Sequence, residues 1–286
     1  MKLALVSDVH ANLEALRATL RDIDRQNVDR IVCLGDIVGY HADPAECVIL
    51  LRDANALCVA GSHDRAAAGL ITTDGFSATA TLAADWTSKR LDDNVRDFLA
   101  RLPLQINLAD HLVAVHGALL PKGGCDSTRL NTEARRRTTF DALASHPSKA
   151  RVCAFGHTHD LGVYELRNGT ERLLCSDEVQ LRGDAYYLVN PGSVGQPRGT
   201  SDRRATYMVF DSDRQIVSIH RMAYDYTLPL TKARKAGLMP VYSGLPRPLR
   251  ALLKWSTRSL GVYGLTRKLA QSMQRRRRES ERMESD

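Results

Sequence analysis

The sequence has no hydrophobic stretch that could cross a membrane. No run of about 18 apolar residues occurs in its 286 residues, and the apolar stretch Leu3–Val6 is too short for the core of a signal peptide. The chain also lacks a Cys-x-x-Cys pair, and Cys33 and Cys153 lie in apolar runs, where cysteine behaves as a small hydrophobic residue. We therefore expect a soluble cytoplasmic protein with reduced thiols.

Strand-like and helical patterns alternate in the first part of the chain. The predicted strands Lys2–Ser7, Arg30–Leu34 and Ala56–Ala60 are separated by the helical patterns Leu13–Ile23 and Pro44–Leu51. This order predicts a βαβαβ start. Three further helices are predicted at Ser77–Arg90, Asp92–Ala100 and Thr132–Phe140. A hairpin is predicted for the strands Gln105–Leu108 and Leu112–Val115.

The second part of the chain is rich in short strand patterns. These are Arg151–Phe155, Gly162–Leu166, Glu171–Cys175, Ala185–Asn190, Ala205–Asp211 and Ile216–Arg221. Asn168-Gly169 is a favourable hairpin turn between two of them. With 43% hydrophobic residues available for a core, helices in the first half and strands in the second imply two packed sheets flanked by helices.

Carboxylates and imidazoles recur where predicted strands end. They lie in the segments Asp8-Val9-His10, Gly35-Asp36, Ser62-His63-Asp64, His116-Gly117 and His157-Thr158-His159. Because strand ends of a sheet converge, we expect a single site, although Asp8 could instead cap a helix and the last two histidines could lie in a surface turn. Oxygen and nitrogen ligands without a thiolate suit Mn, Fe, Zn or Ni. The pattern predicts a two-metal hydrolytic centre.

In this order the segments resemble the calcineurin-like metallophosphoesterase superfamily. Gly35–Tyr40 and Asn190–Arg198 resemble its compact prokaryotic phosphodiesterase branch. The resemblance implies an α/β fold, a four-layer α/β/β/α sandwich of two mixed sheets flanked by helices. It covers residues 1–225, the expected catalytic domain, and leaves residues 226–286 as a basic, partly helical C-terminal extension.

The resemblance also implies a role for each ligand. Asp8, His10 and His159 would hold one metal, Asp36 would bridge two metals, and His116 and His157 would hold the second. The expected cofactor is a pair of divalent transition metal ions, with Mn first and Fe, Ni or Zn as alternatives. Two cations about 3.5–4 Å apart make water a nucleophile near neutral pH and polarise the phosphoryl oxygens.

Other residues are expected to contact the substrate, a phosphate diester or monoester of a small molecule or nucleotide. His63 would protonate the leaving alkoxide, and Asp64 could bias the orientation and charge of that imidazole. Asn12 and Arg198 are candidates for contacts with phosphate oxygens. Asn12 could instead cap the helix that follows it, and the segment around Arg198 could be only a turn.

Residue 62 departs from the family motif. The usual motif is Gly-Asn-His-Asp or Gly-Asn-His-Glu, whose asparagine carbonyl binds the second metal, and this chain has Ser62. A serine hydroxyl is shorter and a weaker donor, so the second metal would bind through a water, bind loosely or be absent. The alternative function is therefore a scaffold or binding module on the same fold, like the retromer subunit that resembles these enzymes. The other retained ligands favour the enzyme.

The positive charge is concentrated at the end of the chain. The formal net charge is +7, yet residues 226–286 alone hold 14 Lys or Arg and four Asp or Glu. The favoured interpretation is two short helices, Leu249–Leu260 and Leu265–Met273, that pack on the domain before a solvated end. The alternative is contact with anionic membrane lipid or nucleic acid, with lipid preferred because aromatic residues are few. The sequence gives no sign of the oligomeric state.

Overall fold

The structure, a computed structural model, describes residues 1–198 and 201–239. Most strands in these residues belong to two sheets of six strands each. The strands are β1 (Lys2–Val6), β2 (Arg30–Cys33), β3 (Leu57–Cys58), β4 (Gln105–Leu108), β5 (Leu112–Val115), β6 (Ala118–Leu120), β7 (Gly124–Asp126), β8 (Val152–Ala154), β9 (Gly162–Arg167), β10 (Thr170–Leu174), β11 (Glu178–Gln180), β12 (Tyr186–Asn190), β13 (Ala205–Asp211) and β14 (Ile216–Met222).

Helices cover the outer faces of the sheets. They are α1 (Leu13–Ile23), α2 (Pro44–Asp53), α3 (Ser62–Ala67), α4 (Ala78–Ser88), α5 (Asp93–Ala100), α6 (Glu133–Ala144) and α7 (Thr227–Lys235), with a short 3₁₀ turn at Pro121–Gly123. Within the described part of the chain, no helix combines the length and apolarity needed to span a membrane.

Both sheets are mixed. The first has the order β11-β14-β13-β1-β2-β3, in which β1, β2 and β3 are parallel and are linked by α1 and α2. The second has the order β10-β9-β12-β8-β5-β4, in which β12, β8 and β5 are parallel. The antiparallel hairpins β9–β10 and β4–β5 form the two edges of this second sheet. Each sheet therefore contains both parallel and antiparallel strands.

Alternating side chains divide the core into layers. In β1, Leu3 and Leu5 point into the cluster between the sheets, while Ala4 and Val6 point to the helices. This follows from the two-residue period of a strand. On the far side of the second sheet, Phe140 of α6 packs against the outer face. The layers are therefore helix, sheet, sheet and helix, which confirms the predicted fold class.

Regular elements agree closely with the sequence patterns, and irregular ones do not. Helix Leu13–Ile23, strand Ala205–Asp211 and the β4–β5 hairpin have the predicted bounds. The β9–β10 turn is also confirmed, because Asn168 and Gly169 have φ of 50° and 76°, as a tight hairpin turn requires. The sequence analysis did not anticipate α3, α7, β11 or the β6–β7 hairpin, and β3 is shorter than predicted.

Helix α7 lies in the predicted C-terminal extension and packs on the domain. Ala233 and Leu238 are buried in a cluster with Ala83 of α4, and Tyr40 packs against this cluster. The packed part of the chain therefore extends to Leu238. The predicted helices at 249–260 and 265–273 lie outside the described residues.

Candidate metal centre

The parallel strands of both sheets deliver polar residues to one place. Asp8 and His10 follow β1, and Asp36 follows β2. His116 follows β5 of the second sheet, and His157 and His159 follow β8. These residues lie at the carboxyl ends of their strands, the usual position of sites in sheets of this kind.

The backbone at this site is held in an uncommon conformation. Five candidate ligands have φ between 51° and 64°, in the left-handed region that side chains disfavour: Asp8, His10, Asp36, His157 and His159. Hydrogen bonds between the loops hold it there, because Asp8 N–H donates to Gly35 O at 3.0 Å and His10 N–H to Asp36 O at 2.9 Å. Strain of this kind clusters at functional sites, where the surrounding structure fixes it.

One group of ligand atoms comes from Asp8, His10 and His159. These three side chains are buried, and their ligand atoms lie within 4.8 Å of one another. The Nε2 atoms of His10 and His159 are 3.1 Å apart, and Asp8 Oδ1 is 3.2 Å from the Nε2 atom of His159. The arrangement has the oxygen and nitrogen donors that transition metals accept.

A second group comes from Asp36, His116 and His157, whose ligand atoms also lie within 4.8 Å of one another. His116 Nε2 lies 3.3 Å from Asp36 Oδ2 and 3.1 Å from His157 Nδ1. The same Asp36 oxygen is 3.8 Å from His10 Nε2 of the first group. One carboxylate oxygen therefore faces both groups. His63 also lies near, because its ligand atom forms a third such group with His10 and Asp36.

Hydrogen bonds from the rings indicate which nitrogen carries the proton. The Nδ1 atoms of His10, His116 and His159 lie 3.2, 2.7 and 2.6 Å from the backbone carbonyls of Val38, Leu34 and Gln196, respectively. A carbonyl only accepts, so each Nδ1 donates and a neutral ring keeps its lone pair on Nε2.

These lone pairs provide a test of whether a metal fits. The Nε2 atoms of His10 and His159 face each other and face Asp8 Oδ1, a buried oxygen that accepts no hydrogen bond from the described residues. Lone pairs and a carboxylate at such distances repel unless a cation lies among them. The donor set therefore fits a divalent metal.

The pKa values of the acidic groups favour cation binding. Burial alone would raise the pKa of the Asp8 and Asp36 carboxyls, but the imidazoles of His159 and His116 lower both pKa values below the usual range. Both carboxyls are therefore ionised.

The imidazoles respond differently to the same surroundings. Burial lowers the pKa of His10, and burial together with His116 lowers the pKa of His157 to about 3. His116 is the exception, because Asp36 outweighs burial and raises its pKa to about 9. A metal must displace that proton to bind.

Helix α3 begins with the segment that carries the candidate acid. His63 N–H donates to Asp36 Oδ1 at 2.8 Å, and a side chain at Gly39 would collide with His63 Nδ1. The imidazole lines the cleft, and its buried Nδ1 has no hydrogen-bond partner among the described residues. Burial lowers the pKa of His63. Ser62 is buried beside it and also lines the cleft.

The hydrogen bonds of Asp64 lead to the backbone of two loops. Its two carboxylate oxygens accept hydrogen bonds from Val38 N–H at 3.1 Å and Gly61 N–H at 2.9 Å. Burial raises its pKa to about 7. The role of Asp64 in biasing the orientation and charge of the His63 imidazole stays a prediction, and the structure shows that its carboxylate joins the two loops that flank that ring.

The side chain of Asn12 is engaged within the fold. Its Oδ1 accepts from Ala15 N–H at 3.1 Å and caps α1, and its Nδ2 donates to Gly195 O at 2.9 Å and Tyr224 Oη at 3.2 Å. The side chain is buried and its donors are used within the fold. The structure therefore supports the capping interpretation and not a phosphate contact.

A cleft of about 420 Å³ opens over the candidate ligands. Arg198 lies in its lining, and its Nη2 donates to Gln196 Oε1 at 2.6 Å. The sequence analysis missed Tyr40, Phe76 and Arg129, which also line the cleft. Arg129 Nε lies 3.4 Å from His157 Nε2. Only Tyr40 gave a signal, as the last residue of the Gly35–Tyr40 motif.

Comparison with known proteins agrees with this geometry. The family model for the calcineurin-like phosphoesterase superfamily domain matches residues 1–215. The chain belongs to this superfamily. The match includes every candidate ligand and ends before α7.

Three known proteins are similar to this chain in sequence or in fold. An uncharacterized protein of Methanocaldococcus jannaschii is 37% identical over 225 residues, which are 78% of this chain and 88% of that protein. A metallophosphoesterase from Sphaerobacter thermophilus is 33% identical, with a TM-score of 0.66 over 84% of this chain and 95% of that one. A hypothetical protein from Pyrococcus horikoshii OT3 shares the fold, with a TM-score of 0.65 at 16% identity over 83% of this chain and 94% of that one.

Proposed function

We propose that this protein is a metal-dependent phosphoesterase that hydrolyses phosphate diesters or monoesters of a small molecule or nucleotide at a dinuclear metal centre. The observation that carries the proposal is the position of Asp36 Oδ2, 3.3 Å from His116 Nε2 and 3.8 Å from His10 Nε2. A carboxylate between two groups of ligands is the arrangement that two-metal hydrolysis requires.

Asp8, His10 and His159 would hold one ion, His116 and His157 the other, and Asp36 both. Manganese is the first candidate, with Fe, Ni or Zn as alternatives that the same donors accept. When bound, such ions supply an activated water and polarise the phosphoryl oxygens.

The side chains of the cleft would carry out the remaining steps. His63 would donate a proton to the leaving oxygen, since its imidazole lines the cleft beside Asp36. Arg129 and Arg198 would orient the phosphoryl group, because a guanidinium fork matches two phosphate oxygens. An anionic phosphate would also offset the effect of burial on the pKa of His63.

A scaffold on the same fold is the second candidate, and Ser62 is the observation that favours it. A scaffold would bind one or two metals through the same residues but would not turn over phosphate esters. Metal analysis combined with a screen of chromogenic monoesters and diesters separates the two functions. Metal without hydrolysis of any ester would favour the scaffold, and no metal after loading with Mn, Fe, Ni or Zn in turn would contradict both.

Two variants test the assigned roles. Asp36→Asn should lose metal and activity together, because it removes a charge that faces both groups. His63→Ala should keep its metal but slow esters with poor leaving groups about 10²–10⁴-fold, while nitrophenyl esters, which need little protonation, slow less. Asp97→Asn, on the exposed surface of α5, is the control for a lost carboxylate. Equal slowing of good and poor leaving groups by His63→Ala would contradict the acid role.

A further inference from the structure

Two aromatic rings contact the imidazole of His63. The ring centre of Tyr40 lies 4.6 Å from that of His63, and the ring centre of Phe76 lies 5.2 Å from it. All three side chains line the cleft, together with the buried methyl group of Ala80. Aromatic rings therefore border the candidate acid on this side of the cleft, next to the polar lining residues Asp74 and Ser77.

The backbone holds Phe76 in place. Its N–H donates to Thr73 O at 3.0 Å, which closes a turn. The next residue, Ser77, caps α4 by accepting from Ala80 N–H at 3.2 Å. The backbone at Phe76 is thus held between a turn and a helix cap, and its side chain lines the cleft.

Tyr40 is also fixed, although its backbone is strained. It has φ of 61°, and its ring lies 4.7 Å from the ring of His10. The Cζ of Arg198 lies 5.6 Å from the Tyr40 ring, and the cluster around Leu238 packs against Tyr40. The two aromatic side chains form a wall beside the candidate acid.

We propose that this wall binds the leaving group of the substrate and that the leaving alcohol carries a planar aromatic ring, as a nucleoside does. The inference rests on the proposed function, in which His63 protonates the leaving oxygen. That oxygen must come within about 2.6–3.2 Å of the imidazole. The rest of the leaving group then lies against Phe76, Tyr40 and Ala80, while Arg129 and Arg198 remain for the phosphoryl group.

A matched pair of esters tests the inference. Adenosine 5′-phosphate and ribose 5-phosphate release the same type of primary alcohol and differ in the base. With metal-loaded protein, kcat/KM should be about tenfold higher for the nucleotide, which corresponds to about 1.4 kcal/mol and is within the range of base–aromatic stacking. Equal values for the two esters would overturn the inference and leave the proposed function intact.

Variants of Phe76 test whether its ring causes the preference for the nucleotide over ribose 5-phosphate. Phe76→Ala should reduce the ratio of the two kcat/KM values to less than about twofold, and Phe76→Tyr, which keeps a ring, should retain the preference. Leu70→Ala is the matched control, because Leu70 precedes Phe76 in the same loop, is 51% exposed and does not line the cleft. A ratio unchanged by Phe76→Ala would contradict the assignment.

Binding provides a readout that is independent of hydrolysis. Adenosine, which has no phosphate, should bind the wild type more tightly than Phe76→Ala in calorimetric titrations, and Leu70→Ala should match the wild type. If neither monoester is hydrolysed, the screen of diesters decides the proposed function, and the titration still decides the inference. Equal affinity of the wild type and Phe76→Ala for adenosine would refute the ring contact.

Discussion

At residue 62 this chain carries a hydroxyl, where the family motif that its sequence resembles has an amide. Ser62 is the first residue of α3, buried in the cleft next to His63, whose N–H binds Asp36. The backbone at this position is therefore tied to the residue that faces both groups of ligands. A longer side chain with a carbonyl oxygen would extend from the same point.

Restoring the amide should strengthen the second metal site. We expect Ser62→Asn to bind the second metal more tightly and to turn over esters faster than the wild type, because a carbonyl is a better and longer ligand than a hydroxyl. Metal titration and steady-state rates measure both effects. Ser62→Ala should bind the second metal no more tightly, and hydrolyse esters no faster, than the wild type. Unchanged metal affinity and rate in Ser62→Asn would show that serine is no defect.

Residues that follow strands could be located from the sequence, and residues in loops could not. Asp8, Asp36 and His116 end buried strands, so a rule about strand ends brings them together without knowledge of the fold. Arg129 is held near His157 by a loop with no periodic pattern. Asn12 shows a different difficulty, since an amide before a helix suits a cap and a ligand equally well.

At the scale of elements, α7 supports one wall of the cleft. Lys232 of α7 forms ion pairs with Glu14 of α1 at 2.7 Å and with Asp43, which precedes α2, at 2.9 Å. Leu238, just beyond the helix, is buried in the cluster that contacts Tyr40. This helix lies beyond the part of the chain that the family model matches, and it packs against a residue that lines the cleft.

Truncating Leu238 should destabilise the protein more than truncating an exposed leucine nearby. Leu238→Ala should lower the free energy of unfolding by about 2–5 kcal/mol, because it leaves a cavity in a packed cluster. Leu228→Ala is the control, since Leu228 lies on α7 and is 44% exposed, and it should cost less than about 0.5 kcal/mol. Denaturant titration measures both. Equal losses would show that α7 does not depend on this contact.

The elements that escaped prediction are short or depend on their neighbours. Helix α3 has six residues, too few for a helical period to emerge, and its first residues are polar. In α7 only Pro229 and Ala233 are buried, so its sequence shows no apolar stripe. Such helices form because partners cover them, and tertiary context overrides weak local preferences.

At the scale of the whole molecule, charge and chemistry occupy different parts of the chain. The candidate ligands lie between residues 8 and 159, while residues 226–286 hold 14 Lys or Arg against four Asp or Glu. The contact of this segment with an anionic partner stays a prediction, because most of it lies outside the described residues.

Removing the end of the chain should weaken binding to anionic surfaces and spare hydrolysis. A protein that ends before Gln274 loses the run Arg275–Arg278. It should therefore sediment less with vesicles rich in anionic lipid, and the full chain should dissociate as salt rises. Neutral vesicles and hydrolysis of nitrophenyl phosphate serve as controls. Equal sedimentation of the two proteins, or none by either, would leave a solvated end with no partner.

The whole-molecule topology was only partly accessible from the sequence. Alternation of helix and strand predicted the β1-α1-β2-α2-β3 order, and the family resemblance supplied the four layers. The pairing of β1 with β13, more than 200 residues later, has no local signal, because strands of similar apolar pattern can pair in many orders.

The candidate ligands come from both sheets: Asp8 and Asp36 follow strands of the first, and His116 and His157 follow strands of the second. A metal held by both would bind only while the sheets are packed together. Its binding would therefore oppose unfolding, by about 2.7 kcal/mol when free metal is 100 times its dissociation constant. A cell short of that metal would hold a protein that is both inactive and more easily degraded, so its abundance as well as its activity would follow the metal supply.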